Sequence, residues 1–278
     1  MKSRIFVAAL ALVGLGILDA KTANAVDYYF EPAGATATWN SASWRTDGCG
    51  GAVVLAVLPA NAHAVICSGK TADVNAAVAN PPITLRVEEG GVVTISGFTL
   101  PLTGSAANVL SHQIEGRIEL TDSNASILLF SNSAVVAGGG RIVGNGSTNS
   151  PRIQIGADDT LRLDSRTTIE GTLTMMAATG SATFINDGIV NAKDADYLVM
   201  DTLTLNRGSG GVYMVSIASG FLQFTTNATA TELSSDFRVE NGTLDVLANL
   251  ITSGTLYKTG GTVDCSTVTC VFANAEFH

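Results

Sequence analysis

The strongest chemical signal in this sequence is a pair of aspartates that extended backbone would place on one side of a strand. In Asp194-Ala195-Asp196 the carboxylates are two residues apart, and alternate side chains of a strand share a face. Together with Asp201, such a pair could hold calcium or divide acid and base roles. Lys193 adjoins it, and acidic residues are common in turns, so a solvated turn is the competing reading. Asp158-Asp159 is weaker, because neighbours in a strand point to opposite faces and an Asx turn before Leu161 explains both residues. Asp164 stands alone.

Other reactive constellations are missing from the sequence. His63, His112 and His278 are scattered, and no Gly-x-Ser-x-Gly elbow accompanies them. Gly138-Gly139-Gly140-Arg141 precedes strand-like sequence rather than the helix that a phosphate-binding loop requires. No CxxC pair signals a metal site. No catalytic residue, metal or cofactor is expected. Both tryptophans, Trp39 and Trp44, fall in one short segment. They could form a sugar-stacking platform, although large aromatics more often bury in a core.

The start of the chain, from Met1 to Ala25, reads as a cleavable secretory leader. Lys2 and Arg4 open it, Ile5 to Ile17 is apolar, and Ala23-Asn24-Ala25 is a small-x-small cleavage site. The apolar run is too short to span a bilayer, so an exported mature chain from Val26 with no integral membrane segment is expected, secreted or held at the cell surface. Removing the leader turns 15 basic and 24 acidic residues into 12 and 23, so the net charge moves from -9 to -11. Such a chain, with no basic cluster, would repel nucleic acid. In an exported protein the four cysteines are expected as disulfides. Three connectivities exist, and the sequence-local one, Cys49–Cys67 with Cys265–Cys270, is favoured.

The elements that must position these residues are short strands. Ile114-Glu115-Gly116-Arg117-Ile118-Glu119-Leu120 has a near copy, Ile169-Glu170-Gly171-Thr172-Leu173-Thr174-Met175. Looser versions start at Val87, Val239 and Thr252. Each is a turn with glycine followed by apolar alternation. Gly/Asn/Asp/Ser clusters separate the strands, and only Ala72–Ala79 has helical character. Glycines 90, 116, 140, 171, 188, 211, 242 and 254 are irregularly spaced, with intervals centred in the low twenties, which favours a solenoid of seven or eight coils over a sandwich. Positive φ is expected at Gly116 and Gly171.

This pattern, from about residue 83 to 261, resembles the right-handed parallel β-helix proteins that bacteria export: autotransporter passengers, filamentous-haemagglutinin-type adhesins and pectin-lyase-like enzymes. The resemblance rests on Ile114–Leu120, Ile169–Met175, Val239–Val246 and the Asn/Gly-rich corners. It implies an all-β, right-handed parallel β-helix. A repeat array needs covered ends, and the residues themselves suggest an N-terminal cap at 26–80, repeats at 81–261, and a C-terminal cap at 262–278 in which Cys265 and Cys270 close a hairpin. A structural or adhesive surface protein is the expected function, with self-association or glycan contact as partners. A polysaccharide-binding or polysaccharide-degrading β-helix is the alternative.

Overall fold

The computed structural model describes residues 26–278 except 53, 104–109, 122, 147–149, 194–196, 207–209 and 217–218, and omits the side chains of 110, 206 and 230–232. Every regular element among the described residues is a β-strand. The strands stack in parallel register into a β-solenoid of about eight full turns. Each full turn contributes one strand to each of three faces. The first face begins with Asp27–Phe30, His63–Ile66, Thr84–Val87 and Leu110–Ile114. The second carries Thr36–Thr38, Thr71–Val74, Val92–Ile95 and Arg117–Thr121, and the third Thr99–Leu102, Ile127–Phe130 and Arg152–Ile155. The first two faces continue to the last strand, Cys270–Phe277, and the third to Thr262–Asp264.

Parallel pairing without slippage requires an identical inside-outside pattern in every coil, since a shift of one residue would turn the apolar set outward. The sequence meets this demand. Val93, Ile118, Ile142, Ile169, Val190, Tyr213, Phe237 and Leu256 pair in register along the second face, all buried. Isoleucine and valine dominate the early coils. Later coils use rings, with Tyr213 stacked on Phe237 at 5.2 Å and Phe224 edge-on to Tyr213. Burial pushes the Tyr213 hydroxyl's pKa well up.

The corner leading into the second face is the true coil marker. In-register pairing aligns Gly91, Gly116, Gly140, Thr167, Gly188, Gly211, Ser235 and Gly254 at this corner, coil after coil. Their intervals along the chain are more even than those of the motif glycines. Two of the motif glycines belong elsewhere. Gly171 lies at the second-to-third corner, inside the continuous strand Thr168–Ala177, and Gly242 precedes a third-face strand. The near-identical heptads therefore sit at different corners, with Ile118 rather than Ile114 two coils away from Ile169.

The expected positive φ holds at Gly171, at 92°, and not at Gly116. Glycine is required at Gly116 for a different reason: a Cβ there would collide with the carbonyl oxygens of Gly91 and Glu88. Where the corner carries Thr167 or Ser235, the side chain is buried, and Thr167 Oγ1 donates to the Gly138 carbonyl oxygen at 3.0 Å.

The solenoid extends past residues 81–261 at both ends. Asp27–Phe30 and Thr36–Thr38 already pair in parallel with the following coil, so the N-terminal cap is narrower than 26–80. It is the excursion between Thr38 and His63, in which Trp44–Arg45 adds antiparallel to Asp27–Phe30 and Val54–Leu55 adds antiparallel to Trp44–Arg45, covering the edge that a parallel stack leaves open. The alanine-rich segment from Ala72 is not helical. Thr71–Val74 is a strand, because pairing on both sides outweighs alanine's helical preference. At the other end residues 262–278 form no hairpin: Thr262–Asp264 and Cys270–Phe277 pair in parallel with Thr243–Val246 and Leu250–Lys258 as a last coil.

Candidate functional site

Of the predicted acidic trio, Asp194 and Asp196 lie outside the described residues, and Asp201 has structural partners. Asp201 ends the third-face strand Tyr197–Asp201. Its Oδ1 accepts from Thr225 Oγ1 at 2.6 Å and Asn227 Nδ2 at 3.1 Å, both one coil later. Those bonds clip successive turns together. Asp158 and Asp159 form the expected turn, with Asp158 at φ 60°; Asp159 Oδ1 accepts from Ser133 Oγ at 3.1 Å.

Tyr197 stacks on Phe221 in the next coil with centroids 4.5 Å apart and planes 8° apart, as in-register pairing dictates. Its hydroxyl donates to Gln223 Oε1 at 3.3 Å, and Gln223 Nε2 donates to Asp245 at 2.7 Å. Partial burial, then the Asp245 charge, raise the phenol's pKa. The ring-on-ring contact covers one face of each ring and makes an aromatic ladder from one coil to the next.

The tryptophans are core. Trp39 and Trp44 are 2% and 0% exposed, edge-to-face at 5.0 Å, with Phe30 edge-on to Trp44. Neither indole presents a face to solvent, which corrects the sugar-platform expectation. They plug the first coil, and Trp44 Nε1 donates to the Trp39 carbonyl at 2.9 Å.

Both disulfides have the sequence-local connectivity, Cys49–Cys67 and Cys265–Cys270. The first ties the capping excursion to the second coil, and the second closes the turn before the last strand. Replacing Cys265 and Cys270 together by serine should lower unfolding free energy by about 2 kcal/mol, the chain-entropy value for so short a loop. Urea denaturation of both forms checks this.

The groups that converge on one place come from residues the sequence leaves apart. Thr84–Val87 and Leu110–Ile114 pair through only Arg86↔Gln113 and Val87↔Ile114, whereas His63–Ile66 pairs with Thr84–Val87 along its whole length. Where that ladder stops, His112 turns inward. It is 1% exposed, its Nδ1 accepts the Leu85 backbone N–H at 3.1 Å, and its ring lies edge-on to Phe130 at 5.4 Å. A side-chain nitrogen thus substitutes for a ladder carbonyl, and burial pulls the imidazole's pKa down to about 4. Outside the same seam lies a groove of about 290 Å³, with Ala64, Val65 and Leu85 in its lining and Asp27, His63, Thr84, Arg86, Ser111 and Gln113 as its polar members. His63 Nδ1 and Thr84 Oγ1 are 2.6 Å apart, and Gln113 Nε2 donates to Ser111 Oγ at 2.7 Å.

No family model, curated protein or solved structure matches this chain. Among the described residues no three His, Cys, Asp or Glu side chains gather to hold a metal ion, and no helix among them is long and apolar enough to cross a membrane. The seam carries hydrogen-bonding groups of both polarities and one charge of each sign, a lining able to hold a polar ligand. Sequence reasoning missed it because Asp27, His63, Arg86 and Gln113 come from separate first-face strands, with strands of the other faces between them in the chain, a separation no local motif could record.

Proposed function

We propose that this chain is an exported, non-catalytic β-solenoid that serves as a rigid surface or matrix component and makes adhesive contact through its outer faces. The observation that carries the reading is the parallel stack that runs from Asp27 to Phe277 around one apolar interior. An architecture in which each coil touches only its neighbours makes an extended rod with long lateral surfaces. The leader-like segment from Met1 to Ala25 and the two disulfides support export, as does the resemblance to exported β-helix adhesins. Outward acidic groups support a structural role: Asp201 clips coils, and Glu119 and Glu170 pair with Arg117 and Arg141 at 2.7 and 3.1 Å.

The reading is tested on the purified protein by electron microscopy, by retention of intact cells on protein-coated beads, and by reducing-end release from polysaccharides. Ten successive first-face pairings at about 4.8 Å each give a rod roughly 50 Å long. Rods of that length, cell retention and no reducing-end release are expected. Release of reducing ends would establish the degrading alternative instead. Asp201→Ala should lower stability by about 1 kcal/mol through the lost inter-coil bonds and leave cell retention unchanged; a collapse of retention would make Asp201 a contact residue.

A further inference from the structure

We infer that the groove outside the seam between Thr84–Val87 and Leu110–Ile114 binds a neutral saccharide chain lying along the solenoid axis. This deepens the adhesive reading and rests on it. Three observations carry it: the shape of the groove, the chemistry of its lining and the break in the ladder beneath it.

The groove crosses strands rather than following one. Its lining comes from four successive first-face strands, with Asp27, His63 and Thr84 in register. Three strand-to-strand steps of about 4.8 Å make it roughly 14 Å long, while its volume of about 290 Å³ is at the small end for ligand sites. Long, narrow and open on the outer face, it fits a segment of an extended chain better than a compact metabolite.

The lining selects hydroxyls over ions. Asp27 accepts, Arg86 donates, Ser111 and Gln113 offer a hydroxyl and an amide, and the imidazole of His63 is held against Thr84. A sugar hydroxyl both donates and accepts, so this mixture can satisfy it from either side. A free anion would meet Asp27 and a chain of net charge -9; a cation would meet Arg86. Glu88, 3.5 Å from the Arg86 guanidinium, further balances the charge there.

The ladder break supplies the opening. With the strands joined only at Gln113 and Ile114, Ser111 is released from pairing with Thr84 and its neighbours line the gap. His112 makes the break tolerable by accepting the Leu85 N–H from inside, because a buried N–H left without a partner would cost about 1–3 kcal/mol. His112 is a positioning residue, and the contacts belong to the outer side chains.

The test is titration calorimetry of the purified protein with a panel of neutral oligosaccharides (hexamers of β-1,4-glucose, α-1,4-glucose and β-1,4-N-acetylglucosamine), with a β-1,4-mannose hexamer added and a polyuronate hexamer as the charged comparison. Binding to at least one neutral hexamer is expected, with affinity falling at least tenfold in Ser111→Ala with Gln113→Ala and in Arg86→Gln. Gln223→Ala, on the third face, should leave it unchanged. These side chains are at the surface, and matching melting curves would show that the variants fold. Absence of binding to every neutral hexamer at millimolar concentration, preference for the polyuronate, or equal loss in the Gln223 variant would each overturn the site. Cell retention on beads separates the two ideas: retention that survives the groove variants discards the groove and keeps the adhesive reading, and loss of retention with loss of hexamer binding supports both.

Discussion

Gly171→Ala is expected to lower unfolding free energy by roughly 1–3 kcal/mol for backbone strain and by a further overpacking cost of about 1–3 kcal/mol, among the largest effects of any single methyl group in this protein. The two penalties coincide at Gly171, as they also do at Gly138 and Gly261. Gly171 holds φ at 92°, a region that L side chains rarely adopt, and its Cβ would collide with the Gly144 carbonyl oxygen across the coil. Two other glycines separate the terms. Gly90 has φ 75° with its nearest obstacle, Ser68 Oγ, at 3.5 Å, so Gly90→Ala isolates the backbone term. Gly116 has no positive φ but faces the Gly91 carbonyl oxygen, so Gly116→Ala isolates the collision. Urea midpoints should fall most for Gly171→Ala and less for the other two. Equal midpoints across the series would disprove the close approach at the corners.

Acidification should weaken the fold through His112. The imidazole is neutral in the core, with its pKa pulled from 6.5 to about 4 by burial; the ring edge-on to it, Phe130, and its in-register neighbour, Val136, carry no charge. His63 and Arg86 belong to the outer side of the same seam. Between pH 6.5 and 4 the unfolded chain binds a proton that the folded chain refuses, so stability is full above pH 6.5 and declines as pH falls through that window. A depression from 6.5 to about 4 corresponds to about 3 kcal/mol. His112→Leu removes this slope, while leaving the Leu85 N–H without its acceptor costs about 1–3 kcal/mol at neutral pH. The stability curves of the two proteins should therefore converge or cross on acidification. Parallel curves would sink the assignment of a neutral core histidine.

Much of the architecture was legible because solenoid folding repeats one local rule. Arg117-Ile118-Glu119-Leu120 and Thr160-Leu161-Arg162-Leu163 alternate apolar and polar residues, and each became a strand with its apolar members buried. The local cysteine pairing was legible for a similar reason, since short loops limit where a partner can be. The coil register was less so. Gly116 and Gly171 look equivalent in sequence, yet one corner demands room and the other demands φ as well. Thr167 and Ser235 fill corner positions where the pattern suggested glycine, which hid the coil marker.

By itself the sequence determined the all-β class, the stacked-strand plan, the apolar interior and the acidic, sparsely charged surface, because alternation and turn chemistry act between near neighbours. Only the tertiary structure decided which corner each glycine occupies, that Trp39 and Trp44 are core, and that Asp201 clips coils. It also decided that His63, Arg86, Ser111 and Gln113 meet outside a seam with His112 within it. Those outcomes depend on which residue lies one coil above or below. Coil length changes from one turn to the next across the glycine-bearing corner, so that partner is set by inter-strand hydrogen bonding and packing, and no fixed interval along the chain encodes it.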